Sequence, residues 1–217
     1  EDLKARALLV ERGSRSPAVA AAKRLGIPLL ELIPTAAAGS FAIEGPSIGS
    51  AKTMNMAAED VALVLHTSGT TSRPKIVPLT HANLLASAGN IQKTLTLASS
   101  DRCLNIMPLF HIHGLVAAIL ATLSAGASVC CTPGFNALKF FGWFDETAPT
   151  WYTAVPTMHQ AILSRAERND DVIKRHPLRF IRSSSASLPV PVFHQLEMAF
   201  GCPVIESYGM TEASHQM

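Results

Sequence analysis

Short apolar runs alternate with stretches of helical period along most of the chain. Ala7–Val10 predicts a strand, Pro17–Leu25 a helix stopped by Gly26, and Leu29–Ile33 a second strand, a βαβ pattern with turn residues between its pieces. From Pro34 to Ala58 the sequence shifts to Ala, Gly, Ser, Pro and Met and predicts a linker or long loop. Val61–Leu65 is a continuous apolar run, which suits a strand covered on both faces. Thr80 can N-cap a helix reaching about Leu97. Strands are then expected at Cys103–Met107, Ala127–Cys131, Trp151–Val155, Phe180–Arg182 and Val204–Ser207. Helices are expected at Leu115–Leu123, Leu138–Glu146, Pro156–Arg168 and Val190–Phe200, the last closed by Gly201. The alternation predicts an α/β fold, a mainly parallel sheet with helices on both faces. Residues 1–58 form a partial N-terminal βαβ segment and linker, and residues 59–217 the main body.

Within this frame one polar stretch stands out, Thr67-Ser68-Gly69-Thr70-Thr71-Ser72-Arg73-Pro74-Lys75. Small residues let backbone N–H groups approach an anion, hydroxyls add donors, and Lys75 supplies the positive charge that phosphate oxygens attract. The spacing differs from a P-loop NTPase, where Gly precedes and Ser or Thr follows the lysine; here the neighbours are Pro74 and Ile76. By residue type alone the stretch also reads as a Ser/Thr-rich surface loop.

Four further segments follow. They are Pro108-Leu109-Phe110-His111-Ile112-His113-Gly114, Trp151–Thr157, Arg182-Ser183-Ser184-Ser185-Ala186-Ser187-Leu188 and Glu206-Ser207-Tyr208-Gly209-Met210-Thr211-Glu212. Taken alone, His111-x-His113 could be half of a metal site, the 182–188 segment a plain turn, and 206–212 a strand end.

In order and spacing these segments resemble the motifs of the adenylate-forming superfamily, which includes acyl-CoA synthetases, luciferases and peptide-synthetase adenylation domains. Residues 67–75 resemble its Thr-Ser-Gly-Thr-Thr-Gly-x-Pro-Lys-Gly signature, with Ser72 and Ile76 replacing two glycines. Ser-Arg-Pro-Lys is similar to the oxalyl-CoA synthetase branch. Ile76 departs even from that branch, and a β-branched residue there is expected to stiffen the loop. The resemblance implies that residues 59–217 are the ATP-binding core of the large N-terminal domain. It implies ATP and Mg²⁺ as cofactors, coenzyme A as co-substrate, and a carboxylic acid, oxalate or another small acid, as the group activated. It places phosphates on Thr67, Ser68, Gly69, Thr70, Thr71 and Lys75. The adenine falls beside Ser185, Ala186 and Ser187 and among Glu206, Ser207, Tyr208, Gly209 and Met210, with Tyr208 stacking on it. Thr211 touches the α-phosphate and Glu212 holds Mg²⁺. His111, Ser185 and His215 are candidates for the acid, with Lys75, Thr211, Glu212 and His111 as the catalytic set; His113 reads as structural. Trp151–Thr157 resembles the strand beside the acyl pocket, or is ordinary core.

The resemblance also implies elements beyond Glu212: a ribose-holding Asp, a hinge and a small C-terminal domain with an adenylating lysine. The chain stops soon after the last motif, at His215-Gln216-Met217. A fragment with little activity of its own is therefore expected, its partner being that C-terminal domain. A nucleotide-binding remnant without catalysis is the alternative reading.

Composition narrows the choice. In 217 residues, 18 Lys and Arg against 16 Asp and Glu give a net charge of +2, no basis for nucleic-acid binding. The longest apolar stretch, Gly114–Leu123, is about half the ~20 residues a membrane helix needs. The four cysteines form no C-x-x-C pair, and Cys130-Cys131 suits buried thiols in a reducing compartment. No signal peptide is evident, so a cytoplasmic location is expected, with a peroxisome possible. Gly45-Pro46-Ser47-Ile48-Gly49 fits a hydrolase G-x-S-x-G but falls in the linker, and Pro74 opposes the helix that an S-x-x-K pair at Ser72 and Lys75 requires. A serine hydrolase is the weakest reading.

Overall fold

The computed structural model describes residues 3–37, 39–47, 49, 55–67 and 74–217. They form two compact units, Glu1–Asn55 and Met56–Met217.

In the first unit, β1 (Leu8–Glu11) and β2 (Leu29–Pro34) pair in parallel across the crossover helix α1 (Pro17–Arg24). Ser16 caps α1, its hydroxyl accepting from the Ala18 N–H at 3.3 Å, and Pro17 opens the first turn. A third strand, β3 (Phe41–Glu44), lies antiparallel to β2. It falls where a linker or long loop is expected, and corrects that expectation. Phe41 and Ile43 alternate as a strand requires, but β3 is an exposed edge strand amid Ala, Gly and Pro. Gly45 is needed after it, because a Cβ there would meet the Leu29 carbonyl oxygen at 2.8 Å.

The second unit opens with an antiparallel pair, β4 (Val61–Thr67) and β5 (Lys75–Thr80), in which Thr67 faces Lys75. β4 is half-exposed along its length, so the expectation of a strand covered on both faces fails. Its apolar run lies on a two-stranded ribbon, outside the main sheet. Helix α2 (His81–Thr94) follows from a reciprocal cap: Asn83 N donates to Thr80 Oγ1 at 3.2 Å, and Thr80 N to Asn83 Oδ1 at 3.0 Å.

The main sheet contains β6 (Arg102–Asn105), β7 (Ser128–Cys131), β8 (Trp151–Ala154), β9 (Phe180–Ser183) and β10 (Val204–Glu206), in the order β10-β9-β8-β6-β7. Every pair is parallel. Successive residues alternate between two cores. Leu104, Tyr152 and Ile181 join the core built by α4 (Phe140–Thr147), α5 (Pro156–Ala166), α6 (Asp170–Arg175) and α7 (Val190–Phe200). Cys103, Trp151 and Phe180 join the opposite core with Ile91 and Leu95 from the α2 end, Val116 and Ala117 of the π-helix His113–Leu120, and Ala121 of α3 (Ala121–Ser124). Period-2 strands buried on both faces explain the uninterrupted apolar runs in the sequence.

Two elements escape the periodicity. α6 is short and polar, with Ile173 its buried residue. β11 (Gly209–Met210) and β12 (His215–Gln216) form a two-residue antiparallel pair joined by a 3₁₀ turn, Thr211–Ala213. Among the described residues, no helix is long and apolar enough to cross a membrane.

Candidate active site

The chain steps from β6 outward to β7 and then back to β8 on the other side of β6. Connections leave these neighbours in opposite directions, so a crevice opens at their carboxyl ends, the usual ligand position in open parallel sheets. The polar motifs from His111 onward lie at that edge.

Local hydrogen bonds set the loops. Beyond β6, Asn105 Oδ1 accepts from Met107 N at 3.1 Å and turns the chain into Pro108–His111. Gly114 then lets the π-helix start against this turn, since a Cβ there would lie 2.5 Å from the Pro108 carbonyl oxygen. Beyond β9 and β10, Ser207 N donates to Ser183 O at 3.0 Å and Ser184 Oγ to Ser207 O at 2.9 Å. Glu206 Oε1 accepts from Leu188 N at 2.8 Å, tying down the far end of the 184–188 loop. Between the stitched loops lies a cleft of about 530 Å³ lined by Ser185, Ala186, Ser187, Glu206, Ser207, Tyr208 and Gly209. Small side chains form its walls, and Tyr208, 70% exposed, offers a ring on which a flat base can stack.

A second, smaller cleft of about 100 Å³ is lined by His111, Ile112, Ser184, Ser185, Gly209, Met210, Thr211 and His215. It brings together the three residues expected to hold the acid, His111, Ser185 and His215, with Thr211. Ser185 and Gly209 line both clefts. Ser185 (φ 73°), Ser214 (φ 56°) and His215 (φ 105°) all occupy the left-handed region; strained backbone of this kind concentrates at functional sites.

Beneath the clefts lies a buried polar cluster. His113 Nδ1 is 3.0 Å from Ser185 Oγ, and His113 Nε2 is 2.6 Å from Thr153 Oγ1. The Arg182 guanidinium, fully buried at the end of β9, donates through Nη1 toward His113 Nε2 and Thr153 Oγ1, each at 3.4 Å, and through Nη2 to Gln216 Oε1 at 3.2 Å. None of these partners is a carboxylate. Burial, reinforced by the Arg182 charge, pushes the His113 pKa down to about 2 and that of His215 to about 3. Burial also lowers His111, and brings Arg182 down to about 10, still a cation at neutral pH. Both ring nitrogens of His113 are engaged, which leaves none for a His111-x-His113 metal pair. The sequence reading treats Arg182 as the end of a strand and the head of a small-residue loop, and Thr153 as part of a strand beside the acyl pocket or in the core, and gives neither a role at the site. The missed signal is a charged residue within the strand itself, directly after the apolar pair Phe180-Ile181.

The remaining site residues are spread more widely. Glu212 lines a third cleft of about 220 Å³, with Asn83, Ser87, Asn90 and Gln216. Its exposed carboxylate is a hard donor that suits Mg²⁺, while the neighbouring Asn83 Oδ1 and Gln216 Oε1 are already engaged by Thr80 N and Arg182 Nη2. Lys75, exposed, starts β5 and lines none of these three clefts, although β5 packs against the Thr211–Ala213 turn. Ser68, Gly69, Thr70 and Thr71 lie outside the described residues, as do Ser72 of the S-x-x-K pair and Ile48 of the G-x-S-x-G stretch. Ile76 sits inside β5 opposite His66, where the extended backbone needs no positive φ. The expected stiffening of the loop therefore falls on a strand position that a β-branched residue suits.

The comparisons agree with this architecture. The AMP-binding enzyme family matches residues 1–217, and the chain belongs to that family. Oxalate–CoA ligase of Arabidopsis thaliana is 43% identical over 223 residues, covering all of this chain and 43% of the relative. A malonyl-CoA ligase solved with methylmalonyl-CoA and AMP superposes with a TM-score of 0.78 at 26% identity, over 97% of this chain and 43% of that one. ATP-bound MatB from Rhodopseudomonas palustris gives 0.77 at 27% identity, over 97% of this chain and 41% of that one. The chain thus spans less than half the length of these relatives.

Proposed function

We propose that this chain is the nucleotide-gripping part of a ligase that activates a small carboxylic acid with ATP and passes it to coenzyme A. The carrying observation is that Ser185 and Gly209 line both the large cleft and the small histidine-lined one. A nucleotide in the first and an acid in the second would meet at these two residues. The names of the relatives, an oxalate–CoA ligase and a malonyl-CoA ligase, support the same chemistry.

In the first step a carboxylate oxygen attacks the α-phosphorus, an O–P bond forms, and the bond to the β-phosphate oxygen breaks to release pyrophosphate. In the second, the thiolate of coenzyme A attacks the acyl carbon, a C–S bond forms, and AMP leaves. The first step joins two anions, so the site must neutralise charge and align the attack. Lys75 and the Thr67–Thr71 stretch would hold the phosphates, Tyr208 and the 185–187 loop the base, and Thr211 the α-phosphate. Glu212 would hold Mg²⁺, which supplies charge neutralisation at the phosphate oxygens. His111, Ser185 and His215, with His113 beneath them, would hold the acid. At about 100 Å³, with hydroxyls and imidazoles in its lining, the small cleft suits oxalate or a similar short acid better than a fatty chain.

Pyrophosphate release by the full-length polypeptide, measured across a panel of acids, tests this reading. Turnover with short dicarboxylates and none with fatty acids is expected. ATP binding without pyrophosphate release for any acid would establish the non-catalytic alternative instead.

A further inference from the structure

The buried cluster fixes where protons sit, and that determines what the small cleft can recognise. Thr153 is fully buried, and its hydroxyl proton needs an acceptor. Its bonded neighbours are His113 Nε2 at 2.6 Å and Arg182 Nη1 at 3.4 Å. Arg182 only donates, so the Thr153 proton goes to His113 Nε2. Arg182 Nη1 also faces Nε2 at 3.4 Å, and a guanidinium disfavours a second N–H pointed at it. Nε2 is therefore the bare nitrogen of a neutral ring, and the single ring proton lies on Nδ1, 3.0 Å from Ser185 Oγ.

We infer that Arg182 and Thr153 are positioning residues that hold His113 as its Nδ1–H tautomer, so that the Ser185 hydroxyl accepts from His113 and turns its own proton into the small cleft. His111 is set in a parallel way. Its Nδ1 accepts from the His113 backbone N–H at 3.1 Å, so the neutral ring carries its proton on Nε2. Both residues line the small cleft. Two of its polar lining residues, Ser185 and His111, thereby present donors, which favours a ligand end rich in acceptors and poor in protons, a carboxylate over a hydroxyl or amine. The arrangement also explains a buried arginine with no carboxylate beside it: a counter-ion there would pull the ring proton to Nε2 and reverse the Ser185 hydroxyl.

The selectivity half of this inference rests on the proposed acid-activating function, but the tautomer does not. The decisive measurement is the ¹⁵N imidazole spectrum of the full chain, with His113 assigned through His113→Asn. The wild type is expected to show a protonated Nδ1 and a bare Nε2 on His113. A protonated Nε2 would overturn the inference, whatever the protein catalyses. Thr153→Val removes the nearer donor and leaves only Arg182 Nη1 at 3.4 Å, so part of the ring population is expected to shift to Nε2–H, with KM for the acid raised by up to roughly tenfold, the worth of one lost donor. Thr153→Ser, which keeps the hydroxyl, is expected to restore Nδ1–H. If Thr153→Val moves the tautomer but not KM, the relay stands and its link to acid selection falls. Absence of turnover with every acid would defeat the functional reading alone.

Discussion

Gly209 and His215 meet across the β11–β12 pair so closely that a Cβ on Gly209 would lie 1.4 Å from the His215 carbonyl oxygen. No rotamer change relieves a clash with backbone. Gly209→Ala must therefore open the hairpin and displace Tyr208 and Thr211 together, at roughly 3 kcal/mol, the upper range for overpacking. Titration calorimetry is expected to detect no ATP binding by the variant, while far-UV circular dichroism retains the sheet. Wild-type ATP affinity in Gly209→Ala would refute the place given to this hairpin.

Acid should weaken the fold earlier than carboxylate titration would. Burial holds His113, His215 and His159 neutral, with pKa values near 2, 3 and 4. Below the ordinary value of 6.5 the unfolded chain binds protons that these rings refuse. Stability is then full above about pH 6.5 and drains as pH falls toward the folded values, each ring contributing on the order of 1 kcal/mol per pH unit. Urea midpoints at pH 7 and pH 5 check this; His159→Gln should flatten the slope.

At the opposite end of the sheet, Asp101 anchors four segments. Its side chain, 1% exposed, accepts from Ala98 N at 2.9 Å, Thr150 Oγ1 at 2.7 Å and Arg179 Nη1 at 2.5 Å, joining the β6, β8 and β9 approaches to the α2 exit. Asp101→Ala leaves these donors without their acceptor and should cost about 3 kcal/mol. Thermal unfolding is the measure, with ATP affinity of the folded variant unchanged because the clefts lie at the far edge.

For the nucleotide, Lys75→Ala should weaken ATP at least about tenfold, with little effect on AMP, because the proposed function sets its charge at the phosphates that AMP lacks. Glu212→Gln should raise the Mg²⁺ needed for half-maximal ATP binding. Equal weakening of ATP and AMP by Lys75→Ala would move the lysine away from those phosphates.

Much of this was legible in the residues. Trp151–Ala154 and Phe180–Ser183 are buried on both faces, so their apolar runs stand out. Thr80 marks its helix start through a side-chain cap that needs no tertiary context. β5 was harder, because Pro78 looks like a breaker; it sits opposite Val64 in a two-stranded pair while Val77 and Leu79 bury one face. β11 and β12 are too short for any period. His111, Ser185 and His215, singled out from the motifs, line one small cleft. The supporting shell stayed hidden. Arg182 and Thr153 touch His113, 69 and 40 positions away, and no local pattern reports such pairing.

The central position of β8 has a consequence for synthesis. Its partner β6 ends at Asn105, yet β8 begins only at Trp151, with β7 and two crossover connections between them. Until that later strand leaves the ribosome, Cys103–Asn105 presents an unpaired edge within a run apolar on both sides, an invitation to neighbouring nascent chains. Aggregation during expression should thus peak for products released before residue 151 and fall sharply once β8 can zip into place.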